Sequence, residues 1–161
     1  MANKKGQIVD LLFMSMILIM IAVLGLIMYK IISDVNDQFE SDENIGSDAR
    51  ELSQNYENRL PGMIQQLFMV ALVGIGIITL VASFMVMSHP VFYGLMFFVL
   101  AFMTWINSIY ANFWQDFATT SNFGAIVNNF PMMTYILQYF PLVMLVMSII
   151  IVVIMVSKGG E

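Results

Sequence analysis

Few residues in this chain have side chains that could do chemistry. The single histidine, His89, stands beside Ser88 in the sequence. A Ser–His nucleophile needs a hydroxyl–imidazole hydrogen bond and an acid that orients the base. Neighbours in one turn rarely reach that geometry, so His89 reads as a solvated turn residue. Asp10 is the one acid within or bordering an apolar run, so facing intramembrane carboxylates are not available. Ionisable groups in a bilayer are costly and often functional. Asp10, however, lies close to Lys4 and Lys5 at the start of a helix. There it can act as a cap, favoured by the positive end of the helix dipole.

Other chemistries fail on residue type. The chain has no cysteine, which removes disulfides, thiolate nucleophiles and cysteine-ligated metals. Its sixteen methionines are scattered over every apolar segment, as gap-filling side chains rather than paired soft ligands. Gly74 and Gly76 match neither a phosphate loop nor a dinucleotide fingerprint. No ring of acids or bases sits within an apolar run, and there are no paired broken helices, which argues against an ion-coupled transporter. Asn107 and Gln138 remain as candidates for hydrogen bonds between helices. The sequence thus predicts no catalytic residue, no cofactor, no metal site and no enzyme.

The elements that must position these residues follow from composition. Of 161 residues 60% are apolar and 11% charged, whereas a soluble domain carries about 25% charged residues. A chain this short leaves much of its surface exposed and cannot hide so much apolar area from water. The predicted solvent is therefore a lipid bilayer. The net charge of −5 is concentrated between Asp34 and Glu57. There is no basic patch, so a nucleic-acid partner is not expected.

The hydropathy pattern predicts an all-α integral membrane bundle of four transmembrane helices with one amphipathic extramembrane helix. The four spans lie at about residues 11–32, 64–88, 90–112 and 135–157. The run Leu11 to Tyr29 has nineteen residues without a charge. It covers roughly 28 Å, near the thickness of a bilayer core. That is longer than a cleavable signal core, so it reads as an uncleaved signal anchor. Ile31, Val35 and Phe39 recur at spacing four and carry the helix past the membrane. The polar outer segment, 33–62, breaks near Gly46. Asp48 and Glu51 then have capping-box spacing. Leu52, Tyr56 and Leu60 share one face of a short helix that ends or bends at Pro61, and are candidates for binding a partner. Ser88-His89-Pro90 forms a hinge between the second and third spans, with Pro90 suited to a first helical position. Residues 112–130 are polar, aromatic and poor in charge, as suits a membrane–water interface. Pro141 is a candidate kink in the last span.

Lys4, Lys5 and Lys158 flank spans on one side, which the positive-inside rule assigns to the cytoplasm with both termini. Lys30, Arg50 and Arg59 oppose that bias. Trp105, Tyr110, Trp114, Tyr135 and Tyr139 would form an aromatic belt at the outer interface. Helices in lipid associate through small residues and hydrogen bonds. Gly76, Thr79 and Ser83 on span two, with Gly94, Ala101 and Ser108 on span three, form two such stripes. They can pack the two spans together or face a neighbouring subunit.

The start, Lys4-Lys5-Gly6-Gln7-Ile8-Val9-Asp10-Leu11, resembles the leader of archaeal type IV pilin-like proteins. The resemblance implies cleavage between Gly6 and Gln7 and an apolar helix that builds a filament core. It covers eight residues. The acid at Asp10 stands one place earlier than the family's glutamate, and the further spans have no pilin counterpart. The functional expectation is a non-enzymatic structural component of a larger membrane assembly, such as a lipid-containing virus particle or an archaeal surface apparatus. It would be a homo-oligomer or join other membrane proteins. The alternative is a holin-like pore-former, for which Thr79, Ser83, Thr104, Asn107 and Ser108 supply a thin polar stripe.

Overall fold

The computed structural model describes residues 6–85 and 91–158. Among the described residues every regular element is a helix. In chain order these are α1 (Gly6–Ser41), α2 (Ser47–Met85), α3 (Val91–Thr119), α4 (Gly124–Val127), α5 (Pro131–Gln138) and α6 (Phe140–Lys158). The hinge around His89 and the lysines of the leader lie outside the described residues.

The chain begins as a long antiparallel hairpin. α1 has 36 residues and α2 has 39, so each is about 54–58 Å long against a hydrocarbon core of about 30 Å. α1 stays helical past its charge-free run because its apolar repeat continues through Ile31, Val35 and Phe39. Lys30 and Asp34 add an ion pair one turn apart. Ser41 closes the last turn by donating to the Gln38 carbonyl at 2.9 Å. In the connection, the Asp42 carboxylate accepts from the Asn44 backbone N–H at 2.9 Å. Arg50 reaches back to the Asp42 carbonyl at 2.6 Å.

Two sequence expectations change here. The short amphipathic helix is not separate from the second span: α2 runs without a break from Ser47 to Met85, Pro61 included. Asp48 accordingly sits in its first turn rather than at a cap. Pro61 has no N–H to give the Glu57 carbonyl, but α2 is held against α1 on both sides of it. Below Pro61, Gly25 of α1 admits Ile64 so closely that a Cβ there would lie 2.6 Å from Ile64 Cγ2. Above it, the Glu57 side chain bonds α1. The interfacial segment 112–130 also divides, because residues 112–119 extend α3. Only the remainder forms a turn and the single-turn α4. Its aromatics pack on one another, with Phe117 and Phe123 stacked at 4.5 Å between centroids.

The last apolar stretch is bent. α5 and α6 meet at 66° across Tyr139. Pro141 stands just after the break, and its missing N–H removes the bond that would continue α5 from Leu137. α1 packs chiefly on α2 and α3 chiefly on α6, with α2 also touching α6 and α1 touching α3. The core they share includes Leu18, Ala22, Leu26, Phe68, Trp114, Phe130, Met133 and Phe140. Among the described residues two helices, α1 and α2, are long and apolar enough to cross a membrane, and the bent α5–α6 pair makes a third if taken as one span.

Candidate interaction surface

Where the hairpin leaves its apolar stretch, a polar junction ties three parts of the chain together. Glu57 of α2 is its centre. Its carboxylate accepts from Ser33 Oγ at 2.7 Å and from Asn36 Nδ2 at 2.6 Å, both on α1. One turn down α1, the Tyr29 hydroxyl accepts from Asn129 Nδ2 at 3.0 Å. The Tyr29 ring meets Phe130 edge-on at 5.4 Å. Gln65 of α2 completes the link. It donates to the Asn129 carbonyl at 3.3 Å and accepts from the Met132 N–H at 3.0 Å. The connection from α3 to α5 is thus clamped to the same end of the hairpin that carries the outer segment. Further out, Gln54 donates to Glu40 at 2.6 Å across the pair.

These cross-links fix the register. With Asn36 opposite Glu57 and Glu40 opposite Gln54, Val35 lies about level with Tyr56, Phe39 with Leu52 and Ile31 with Leu60. They also fix the faces. Helical residues advance by about 100° each. In an antiparallel pair, the residues just before two that face each other point to the same side. Val35 precedes Asn36 and Tyr56 precedes Glu57, so both stripes lie on one side of the hairpin. The opposite side carries Asp37 and Asn58, with Asp34 and Asn55 toward the outer edges. Along the apolar part of the hairpin that opposite side is where α3, α6 and the α4–α5 connection pack. There Leu26 is fully buried, Gly76 looks onto Met147 of α6, and Gln65 holds Asn129. The first side is bare. Leu52 is 58% and Tyr56 61% exposed. Leu24, Met28, Ile31 and Val35 of α1 are exposed beside them, as are Met63, Leu67 and Val70 of α2. Leu60, the third partner-binding candidate, turns partly into the hairpin.

The other sequence-singled residues scatter. Gly76 approaches α6, with Met147 Cε 3.2 Å from an added Cβ. Thr79 faces α1, with its hydroxyl 3.6 Å from Met14 Sδ. Ala101 is exposed and Ser108 partly buried, while the side chains at Ser83, Gly94 and Asp10 lie outside the described residues. Gly76 and Thr79 of the first stripe thus have different neighbours, α6 and α1. Among the aromatics, Trp105, Tyr135 and Tyr139 are exposed, as a belt requires, and Tyr110 is partly buried. Trp114 departs from the pattern: it is 1% exposed and belongs to the core. Gln138 is exposed.

The thin polar stripe turns inward on its own helices. Thr79 donates to the Ile75 carbonyl at 2.7 Å and Thr104 to the Leu100 carbonyl at 2.9 Å. Ser108 donates to Thr104 at 2.9 Å and Asn107 Nδ2 to Met103 at 2.8 Å. Such back-bonding is the usual way for hydroxyls to be satisfied inside an apolar helix. Asn107 Oδ1, Trp114 Nε1 and Thr134 Oγ1 are buried and meet no partner among the described residues.

Sequence reasoning found the bare outer stripe but not the junction beneath it. Tyr29, Ser33, Asn36, Glu57, Gln65 and Asn129 lie on three separate segments. No spacing rule links a tyrosine to an asparagine a hundred positions on.

The fold defines an all-helical protein whose apolar helices fit insertion in a membrane. No family model, no curated protein and no solved structure matches the chain.

Proposed function

We propose that the chain is a non-enzymatic structural membrane protein with four spans, and that its outer hairpin joins it to a larger membrane assembly. A lipid-containing virus particle or an archaeal surface apparatus is the kind of assembly meant. The observation that carries this reading is the bare apolar face of the outer hairpin, with Leu52 and Tyr56 58% and 61% exposed. Apolar side chains presented on a rigid extramembrane helix mark an interaction site. The hairpin is stiff because α1 and α2 continue into it without a break and Glu57 locks them together.

Four spans are supported by the clamp at Asn129. It brings the end of α3 and the start of α5 to the outer end of the α1–α2 pair. A third and a fourth crossing by α3 and by α5–α6 satisfy that placement, with both termini on the cytoplasmic side. The back-bonded hydroxyls of Thr79, Thr104 and Ser108 favour a packed bundle over a water-filled pore.

The test is gentle detergent extraction of the native membrane or particle, followed by sizing and identification of what co-purifies. A large complex of fixed stoichiometry is expected. A lone monomer at native abundance overturns the reading.

A further inference from the structure

We infer that the bare face of the hairpin is covered by the same face of a second copy, related by a two-fold axis along the membrane normal. This rests on the structural reading above and names the partner of its surface.

Lipid accounts for only part of that face. Phe39 and Leu52 stand near the tip, where α1 has risen about 15–18 Å beyond Tyr29. α1 is one helix from Gly6 to Ser41, so the tip has no joint at which to lie down on the membrane. The stripe nevertheless runs on from Leu24 and Met28 through Ile31 and Val35 to Phe39, all of them exposed. A surface continuous from bilayer to water needs a partner that is itself continuous in the same way. A second hairpin has that form.

Charge favours the second copy over an unrelated basic partner. The acids of the outer segment, such as Asp37 and Glu51, lie away from this face, and Asp34 stands at the outer edge of α1, where it pairs with Lys30. Between Met28 and Phe39 of α1, and between Leu52 and Met63 of α2, it carries one charge, Arg59, at its edge. Two such faces can therefore meet without setting acid against acid. The two-fold axis sets α1 of one copy against α2 of the other, so Val35 of one faces Tyr56 of the second. It also brings exposed Arg59 of α2 beside Asp34 of the second copy's α1. The outcome is a four-helix arrangement with antiparallel neighbours, extending from the membrane to the hairpin tip.

The absence of cysteine makes the test direct. Val35→Cys and Tyr56→Cys, made in separate full-length chains and mixed in one membrane, are expected to form a disulfide-linked pair under mild oxidation. Each alone is expected to link at least several-fold less, because the axis keeps equivalent positions apart. Arg59→Glu in the Tyr56→Cys chain should lower the mixed yield about two- to fivefold. The opposite-face controls, Asp37→Cys mixed with Asn55→Cys, should not link. Equal linking of Val35→Cys with itself, linking of the controls, or no mixed product overturns the proposal, as does attachment of a different protein at position 35. These positions are exposed, so the substitutions leave the fold intact. A large native complex without the mixed cross-link would sink the two-fold face alone. The cross-link without any larger complex would leave the face standing and remove the assembly reading.

Discussion

Asn129 donates a hydrogen bond of 3.0 Å to the hydroxyl of Tyr29, a residue one hundred positions earlier in the chain. The bond joins the connection between α3 and α5 to α1 at the level where α1 emerges from its apolar run. Gln65 grips the same connection from α2. The bundle and the outer hairpin are thus one mechanical piece. Tyr29→Phe removes the hydroxyl and leaves the Asn129 amide short of a partner, at a cost of about 0.5–1.5 kcal/mol. The expected result is faster amide exchange at residues 129–133, by roughly two- to tenfold. Unchanged exchange there would show that the clamp is held by Gln65 and the Phe130 ring instead.

The hairpin itself depends on Glu57. Asn36 is 3% exposed, and its amide gives its hydrogen bond to that carboxylate. Glu57→Ala leaves the amide buried without its acceptor, which costs about 1–3 kcal/mol. The loss should be local. Limited proteolysis is expected to cut the outer segment, residues 33–57, at concentrations that spare the parent chain. A variant as resistant as the parent would mean that the apolar packing below Pro61 alone holds the hairpin shut.

At Gly25 the two long helices approach closely: an added Cβ would lie 2.6 Å from Ile64 Cγ2. A β-branched side chain cannot swing that methyl away. Gly25→Leu should therefore destabilise by about 1–3 kcal/mol or more through overpacking. Gly74 has nothing within 4 Å of an added Cβ. Gly74→Ala should be neutral or stabilise by up to about 1 kcal/mol from helix propensity. Thermal denaturation in one detergent, with the two variants side by side, checks the contrast. The same loss in both would mean that Gly25 is not a close contact.

How far the sequence reveals this structure depends on the kind of signal. Hydropathy and period show α1 and the outer stripe, because Ile31, Val35, Leu52 and Tyr56 repeat at helical spacing. The continuity of α2 is hidden, because Pro61 and Gly62 together look like a stop. They are overridden by tertiary contacts on either side, from Glu57 and from Gly25, that no local rule contains. The burial of Trp114 is hidden for a related reason. An aromatic at the end of a span suits an interface and a core equally, and the choice is made by Phe117 and the neighbouring elements. Gly76 on the second span, legible in a small-residue stripe, does approach α6, but the tighter approach at Gly25 on the first span is not legible. There, one glycine in an apolar run carries no pattern.

Pro61 makes α2 weaker than its length suggests. A proline inside a helix costs about 3 kcal/mol against alanine, and here it orphans the Glu57 carbonyl. Pro61→Ala should stabilise the hairpin. The gain is reduced by about 0.4–1 kcal/mol, because the proline also restricts the unfolded chain. A rise in the denaturation midpoint is expected, together with slower amide exchange at residues 57–62. A lower midpoint would show that α2 needs a bend at this point to reach both Ser33 above and Ile64 below.

Asn107 offers a sharper test of what the bundle interior is for. Its side chain is fully buried, its Nδ2 bonds the Met103 carbonyl, and its Oδ1 meets no partner among the described residues. A half-satisfied amide in an apolar interior is worse than an apolar group of the same size. Asn107→Leu keeps the number and branching of side-chain heavy atoms, though it is bulkier, and should raise stability by about 1 kcal/mol if the residue is only a packing element and the site admits the bulk. The variant should also enter the native assembly as well as the parent. A stabler chain that no longer assembles would give the Oδ1 a task in the assembled state. A less stable chain would show instead that the site is too tight for leucine. Asn107→Ala separates these cases, because it removes the amide without adding bulk. If it assembles normally, the interior at α3 serves packing alone and the burden of association falls on the hairpin face.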